Sequence, residues 1–352
     1  MHNNKRLEPT IKHGRFYNNN HEGNKRFLWD YIYMAYSFLH EVYIFLKSLA
    51  QGSKRLPADY SSWVDKSPVE AQSIDPVITW IGHATFLIQI GNVNILTDPI
   101  FGNSTIFFPR ILSPGISLEN LPKIDFVIIS HNHPDHMDKN SLLALKELNP
   151  DITILVPQGD KKWFLKRNFK NVFENLWWQE LSFGLIKEQI KFTFLPAYHW
   201  SQRGLFDQNK SLWGSWMIEH NNNSIYFAGD TGYSDHFKEI AAQFNKIDIA
   251  LMPVGPCEPR EKMCHSHTSS EESAQAFLEL NATHFIPMHW GTFHFGTDTF
   301  ELPITRLRDW WKINTLKLES KSLHIVKFGK STVFENLQNI QPVIQKSPQV
   351  SL

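Results

Sequence analysis

The chain predicts a layered α/β domain in which two sheets are flanked by helices. Three observations lead there: short β-like runs from residue 77 onward, hairpin spacing among the early ones, and helix-length segments between the later ones. The runs fall at 77–81, 85–90, 93–97, 126–130, 152–157, 190–195, 213–219, 224–228, 247–253, 284–288 and 323–328. Most are rich in Val, Ile and Phe, as buried strands require. Helix-like segments sit at 140–148, 161–169, 234–243, 270–280 and 304–313, and Ser/Thr followed by Glu marks the start at 270. No short-period repeat or low-complexity tract interrupts the pattern.

A length of 352 residues fits one large domain or two small ones. Here 76–333 reads as the domain, 1–75 as an N-terminal extension and 334–352 as a loose polar tail. Within the extension, 1–26 reads as a polar, partly disordered arm and 51–75 as a polar linker. Segment 27–50 reads as an amphipathic helix, with Asp30, Ser37, Glu41 and Ser48 on one stripe opposite a broad apolar face. It suits packing on its own domain, on a twin subunit in a homodimer, or peripherally on a membrane. Its charged interruptions disfavour a spanning helix.

Lys+Arg equals Asp+Glu, which argues against nucleic acid as a partner. Two cysteines, Cys257 and Cys264, argue against a disulfide scaffold; free thiols in a reducing compartment are expected. The first twenty residues lack the apolar core of a signal peptide, so a cytoplasmic location is expected. Twelve Trp and 26 Phe supply a core and, in part, the walls of an apolar substrate site.

Function is concentrated in Ser130-His131-Asn132-His133-Pro134-Asp135-His136, directly after the apolar run 126–129. Neutral imidazole and carboxylate are ligands for zinc and similar metals, and loops at the ends of buried strands commonly hold catalytic groups. Three other strand ends carry ligand types: Pro196-Ala197-Tyr198-His199-Trp200, Gly229-Asp230-Thr231-Gly232-Tyr233 and Pro287-Met288-His289-Trp290. A lone His or Asp has ordinary structural roles. Four such motifs, each after a strand, point to a metal centre.

These motifs, with Trp80-Ile81-Gly82-His83-Ala84-Thr85-Phe86-Leu87 and Leu96-Thr97-Asp98-Pro99, resemble the metallo-β-lactamase superfamily. They are closest in pattern to its branch of N-acylphosphatidylethanolamine-hydrolysing phospholipases D and their bacterial relatives. The resemblance covers residues 77–295 and implies an αββα sandwich with a dinuclear site at one edge. It implies that His131, His133 and His199 bind one metal, that Asp135, His136 and His289 bind the other, and that Asp230 bridges them. Two Zn2+ are the implied cofactors, though the donors also suit iron or manganese. The implied reaction is hydrolysis of a phospholipid phosphodiester to phosphatidic acid and N-acylethanolamine, through a metal-bridging hydroxide. Zinc lowers the pKa of water from 15.7 to roughly 7. Asp135 would also orient that hydroxide, and His267, before the helix start at 270, would donate a proton to the leaving group.

Other residues carry two readings. Asp98 either holds a ligand imidazole or shapes the turn before Pro99. His83 is second to the metals or structural. Trp200, Tyr233 and Trp290 neighbour ligands and either wall the pocket or pack in the core. The rival activity is a lactonase or other carboxylic-ester hydrolase, since one fold hosts many reactions. The non-enzyme readings are a binding module that kept the fold and a membrane-interaction protein working through 27–50.

Overall fold

The computed structural model describes residues 6–18, 60–104, 108–185 and 188–335. Two seven-stranded mixed sheets form its centre. The first runs, edge to edge, Ser331–Val333, Val77–Gly82, Thr85–Ile90, Val93–Thr97, Phe126–Ile128, Thr153–Pro157, Asn171–Asn175. Pairing is antiparallel through Val93–Thr97 and parallel beyond it. The second runs Ser322–Leu323, Ala282–Met288, Ile247–Pro253, Asn223–Phe227, Ser215–His220, Ile190–Leu195, Glu180–Phe183.

Strand periodicity builds the layers. Phe86 and Ile88 enter one apolar cluster, shared with Phe192, Trp216 and Ile218 of the second sheet, while Leu87 between them enters another. The shared cluster is the interior of a sandwich. The other face of the first sheet is covered by the helices Lys139–Leu148 and Lys161–Leu165 through Leu142, Leu145 and Phe164. Phe237, Phe277 and Leu307, from helices His236–Gln243, Ser270–Glu279 and Leu302–Ile313, join the cluster that includes the second sheet. The order of layers is αββα, as the sequence predicts.

Several differences from the sequence reading have simple physical causes. The run expected at 323–328 is a strand only at Ser322–Leu323, because the chain there leaves one sheet to reach the other at Ser331–Val333. Asn171–Asn175 and Glu180–Phe183 carry a weak apolar pattern because both are edge strands. In the N-terminal arm, Thr10–Lys12 and Arg15–Tyr17 form a hairpin rather than loose chain. Phe16 is buried in the main core, and Asn18 Nδ2 donates to His199 O at 3.0 Å. In the linker, Tyr60 stacks on Phe300 with ring centroids 3.8 Å apart, and Asp65 N donates to Phe328 O. Phe334, assigned to the tail, is buried and its N donates to Pro76 O. The helix expected over 27–50 lies outside the described residues. Among the described residues no helix is long and apolar enough to cross a membrane.

Candidate metal centre

The functional motifs meet because of strand direction. Val77–Gly82, Val93–Thr97 and Phe126–Ile128 run the same way in the first sheet, as their pairings show. They deliver His83, Asp98 and the His131–His136 loop from their C-terminal ends. Ile190–Leu195, Asn223–Phe227 and Ala282–Met288 likewise share a direction in the second sheet. They deliver His199, Asp230 and His289. Ligand sites outside the carboxyl ends of strands are a general outcome of such sheets.

Buried indoles tie these loops to the core. Trp80 Nε1 donates to His83 O at 3.0 Å, Trp216 Nε1 to Ile129 O at 2.9 Å and Trp213 Nε1 to Ala197 O at 3.1 Å. Each bond fixes the approach to a site histidine and is worth about 1 kcal/mol. Gly229 lets the Asp230 loop reach the His131 loop: its φ is +59°, and a Cβ there would sit 2.5 Å from Ser130 Cβ. His83, Asp98 and His289 also have positive φ (55°, 31° and 63°). Non-glycine residues in this region of φ are uncommon, and these three sit at the site itself.

Two groups of side chains converge. In the first, His131 Nε2 lies 2.8 Å and His199 Nε2 3.3 Å from His133 Nδ1. In the second, His136 Nε2 is 3.6 Å from Asp135 Oδ2, and His83 Nε2 is 3.1 Å from that same oxygen. Asp230 stands between them. Its Oδ2 is 3.2 Å from His136 Nε2, 3.9 Å from His199 Nε2 and 3.7 Å from His267 Nδ1, and its Oδ1 is 3.1 Å from His289 Nε2.

The outward nitrogens are held. His136 Nδ1 meets Asp98 Oδ2 at 2.8 Å, His131 Nδ1 meets Ser130 Oγ at 2.9 Å, His199 Nδ1 meets Ser266 O at 2.9 Å and His289 Nδ1 meets Gly255 O at 2.9 Å. With Nδ1 of His136, His199 and His289 engaged outward, Nε2 is the nitrogen that each ring turns toward the centre. Asp98 also accepts from Ser130 N at 2.7 Å and Ser130 Oγ at 2.5 Å. Arg203 Nη1 donates to Asn132 O at 3.0 Å and Met137 O at 2.7 Å, bracketing the loop that holds His133, Asp135 and His136.

Electrostatics favour cations. Burial pushes His131 and His133 well below the usual imidazole range and His199 down to about 4. Burial likewise pushes His83 and His267 down to about 3. Burial would raise Asp135 and Asp230, but the surrounding histidines together outweigh it (His136 and His83 at Asp135, His136 and His289 at Asp230), and both carboxyls are held below their ordinary value. Burial opposes charge on His136 too; Asp230 and Asp135 overcome it and raise that imidazole. His136 Nε2, His267 Nδ1, His289 Nε2 and Asp230 Oδ1 are buried without a well-formed hydrogen bond. Such atoms require a partner, and imidazole with carboxylate is a donor set for zinc-like metals. The residues fit a bound metal cluster.

Of the residues singled out in the sequence, Asp98 anchors His136, and His83 packs its ring 4.1 Å from His289 and contacts Asp135. Trp200 lies 4.1 Å from the His133 ring. Trp290 is buried against Trp80 and Trp63, each 5.2 Å away. Tyr233 turns aside: its hydroxyl donates to Glu279 at 2.5 Å and its ring faces Phe237. Ser130, Arg203 and the carbonyls of Gly255 and Ser266 were not foreseen. Only Ser130, adjoining His131, offered a signal, since carbonyl acceptors leave none in a sequence.

Residues 93–290, more than half the chain, match the family model for a β-lactamase superfamily domain. The chain belongs to the β-lactamase superfamily. This superfamily member is 35% identical over 243 residues to the N-acyl-phosphatidylethanolamine-hydrolyzing phospholipase D 1 of Caenorhabditis elegans, covering 66% of this chain and 68% of the relative. It is 35% identical over 236 residues to the mitochondrial N-acyl-phosphatidylethanolamine-hydrolyzing phospholipase D of Saccharomyces cerevisiae, covering 65% of this chain and 50% of that one. The match thus spans about half the length of the yeast protein. Its fold is similar to a metallo hydrolase from the archaeon Ignicoccus hospitalis, with a TM-score of 0.56 at 21% identity, covering 74% of this chain and 98% of the other. The chain has the fold of the superfamily's metallo-hydrolases and a His/Asp cluster able to bind metal.

Proposed function

We propose that this metallo-β-lactamase-fold hydrolase cleaves the phosphodiester bond of N-acylphosphatidylethanolamine-like phospholipids, releasing N-acylethanolamine and phosphatidic acid. The observation that carries the chemistry is the Asp230 carboxylate, set between the His131/His133/His199 group and the Asp135/His136/His289 group. The substrate rests on the two relatives of 35% identity that bear this activity in their names.

His131, His133 and His199 would hold one metal; Asp135, His136 and His289 the second; Asp230 would join both. We assign zinc to the pair from the imidazole and carboxylate donors. When bound, the pair supplies Lewis acidity that ionises water near neutral pH and neutralises charge on a phosphoryl oxygen. The protein does the rest. Asp98 and the Gly255 and Ser266 carbonyls fix the ring orientations. Asp135, with one oxygen on His83, orients a water for in-line attack. His267, beside Asp230, is placed to hydrogen-bond the leaving oxygen. Phe293 and Phe295, whose rings lie 5.1 and 5.8 Å from His83, give the substrate an apolar wall.

The test is incubation of protein of measured metal content with N-acylphosphatidylethanolamine, with phosphatidic acid as the readout. No lipid turnover alongside hydrolysis of a lactone would move the assignment to a carboxylic-ester hydrolase on the same residues.

A further inference from the structure

Directly after His199 the chain enters a tight loop, Ser201 to Asn209, that is closed upon itself. Asn209 N donates to Ser201 O at 2.7 Å, and Ser201 N to Asn209 Oδ1 at 3.3 Å. Inside it Asp207 Oδ1 accepts from Arg203 N at 3.1 Å and from Gly204 N at 2.8 Å. The N-terminal hairpin clamps the outside. Arg15 donates to the carbonyls of Gln208 and Phe206, and Phe16 N donates to Asn209 O. So many bonds make a rigid tip, yet the two residues it displays are apolar. Leu205 is 87% and Phe206 81% exposed. Keeping both in water gives up the stabilisation that burial of either would bring, and the pair forms one contiguous apolar patch on a rigid tip, the kind of surface that can serve as an interaction site.

We propose that the Leu205–Phe206 tip docks the protein on a lipid surface by inserting between headgroups. The inference rests on the phospholipid reading of the site and names the surface from which that substrate is drawn. A projecting two-residue tip suits insertion into a deformable interface; a stable protein contact needs about 1,000 Å² of matched surface. Arg15 and the exposed Lys210 flank the tip with positive charge, which favours anionic headgroups. Asp207 offsets part of that charge, and its Oδ1 is held by the loop's own amides, Arg203 N and Gly204 N. The tip is also coupled to the chemistry. Arg203, two residues before Leu205, is the side chain that brackets the metal-binding loop through Asn132 O and Met137 O. Docking therefore fixes the His/Asp cluster at a set position relative to the lipid.

The experiment is co-sedimentation of the full-length, metal-loaded chain with vesicles of phosphatidylcholine and phosphatidylserine in equal parts, free of N-acylated lipid. Wild type is expected to bind. Leu205→Ser with Phe206→Ser is expected to weaken partitioning on the order of 100-fold, about tenfold for each side chain. Metal content and melting temperature serve as folding controls and stay at wild-type values. Equal binding by the double variant overturns the proposal, as does absence of binding by wild type. A lipid-free dimer that forms with rising concentration and is lost in the double variant also overturns it, in favour of a second copy as occupant. Because the vesicles hold no substrate, the two readings fail separately. Tip-dependent binding with no phosphatidic acid formed from micellar N-acylphosphatidylethanolamine defeats only the substrate assignment, and turnover without tip-dependent binding defeats only the docking.

Discussion

Asp98→Asn tests the proposition that tautomer control makes His136 a ligand. The carboxylate receives three bonds: Ser130 N at 2.7 Å, Ser130 Oγ at 2.5 Å and His136 Nδ1 at 2.8 Å. Asparagine is nearly isosteric but has one acceptor oxygen. If that oxygen keeps the Ser130 amide, the new NH2 faces both Ser130 Oγ and His136 Nδ1. An NH2 donates, so His136 must move its proton from Nδ1 to Nε2. Nε2 is the atom 3.2 Å from Asp230 and aimed at the cluster, and a protonated nitrogen binds no cation. The expected cost is 10- to 100-fold in metal affinity, about 1.4 to 2.7 kcal/mol. Competition against a chelating dye measures it directly, with circular dichroism to establish that the variant is folded. A folded Asp98→Asn protein with wild-type metal affinity would falsify the tautomer argument and return Asp98 to the role of a turn residue.

The same structure carries three further expectations. Gly229→Ala places a Cβ 2.5 Å from Ser130 Cβ at a φ of +59°; it should destabilise by roughly 2–4 kcal/mol, read by denaturant melts, and loosen metal binding by parting the Asp230 and His131 loops. Burial pushes Asp160 up to about 7 despite bonds from Asn132 and Ser211. Below about pH 4 both folded and unfolded states carry that proton. As pH climbs toward 7 only the folded state keeps it, so stability is lost, on the order of 4 kcal/mol at most. Asp160→Asn should therefore melt higher than wild type at pH 7 and equal to it near pH 4; a constant difference across that range would refute the assignment. Chelation should lower the melting temperature by several degrees, reversed by adding zinc back, with no such response in Asp230→Asn.

How much was legible depended on whether the information sat in side-chain type or in backbone placement. His131, His133, Asp135 and His136 fall within six residues, so their spacing alone suggested a metal. His199, Asp230 and His289 were legible because each follows an apolar run, and strand direction then carries all three to one edge. The sandwich was legible for its central strands, whose two buried faces demand apolar residues. It was not legible at Asn171–Asn175 or Glu180–Phe183, where an edge strand buries little. The Thr10–Tyr17 hairpin was missed because one phenylalanine, Phe16, anchors an otherwise polar stretch. Asp98 and His83 stayed ambiguous because their roles depend on partners Ser130 and Asp135, distant in sequence. Tyr233 misled for the converse reason: it adjoins a ligand motif, but its hydroxyl is claimed by Glu279 from the helix Ser270–Glu279.

The two ligand groups share a property with consequences for how the centre assembles. Each draws on both sheets: His131 and His133 with His199 in one, Asp135 and His136 with Asp230 and His289 in the other. A cation in either group would therefore cross-link the layers of the sandwich. The layers are also joined at this edge through Trp216 Nε1 to Ile129 O, Gly214 N to Ser130 O and the contact of Gly229 with Ser130. These contacts register the two sheets at this edge and so help to aim the imidazoles at one another. The cost of convergence is then borne by the fold: left-handed backbone at His83, Asp98 and His289, and buried polar atoms that lack partners. Binding energy need not be spent on ordering the ligands. It is available to offset strain and desolvation, which is why substitutions of Gly229 or Asp98, neither of them a ligand, should weaken the metal site.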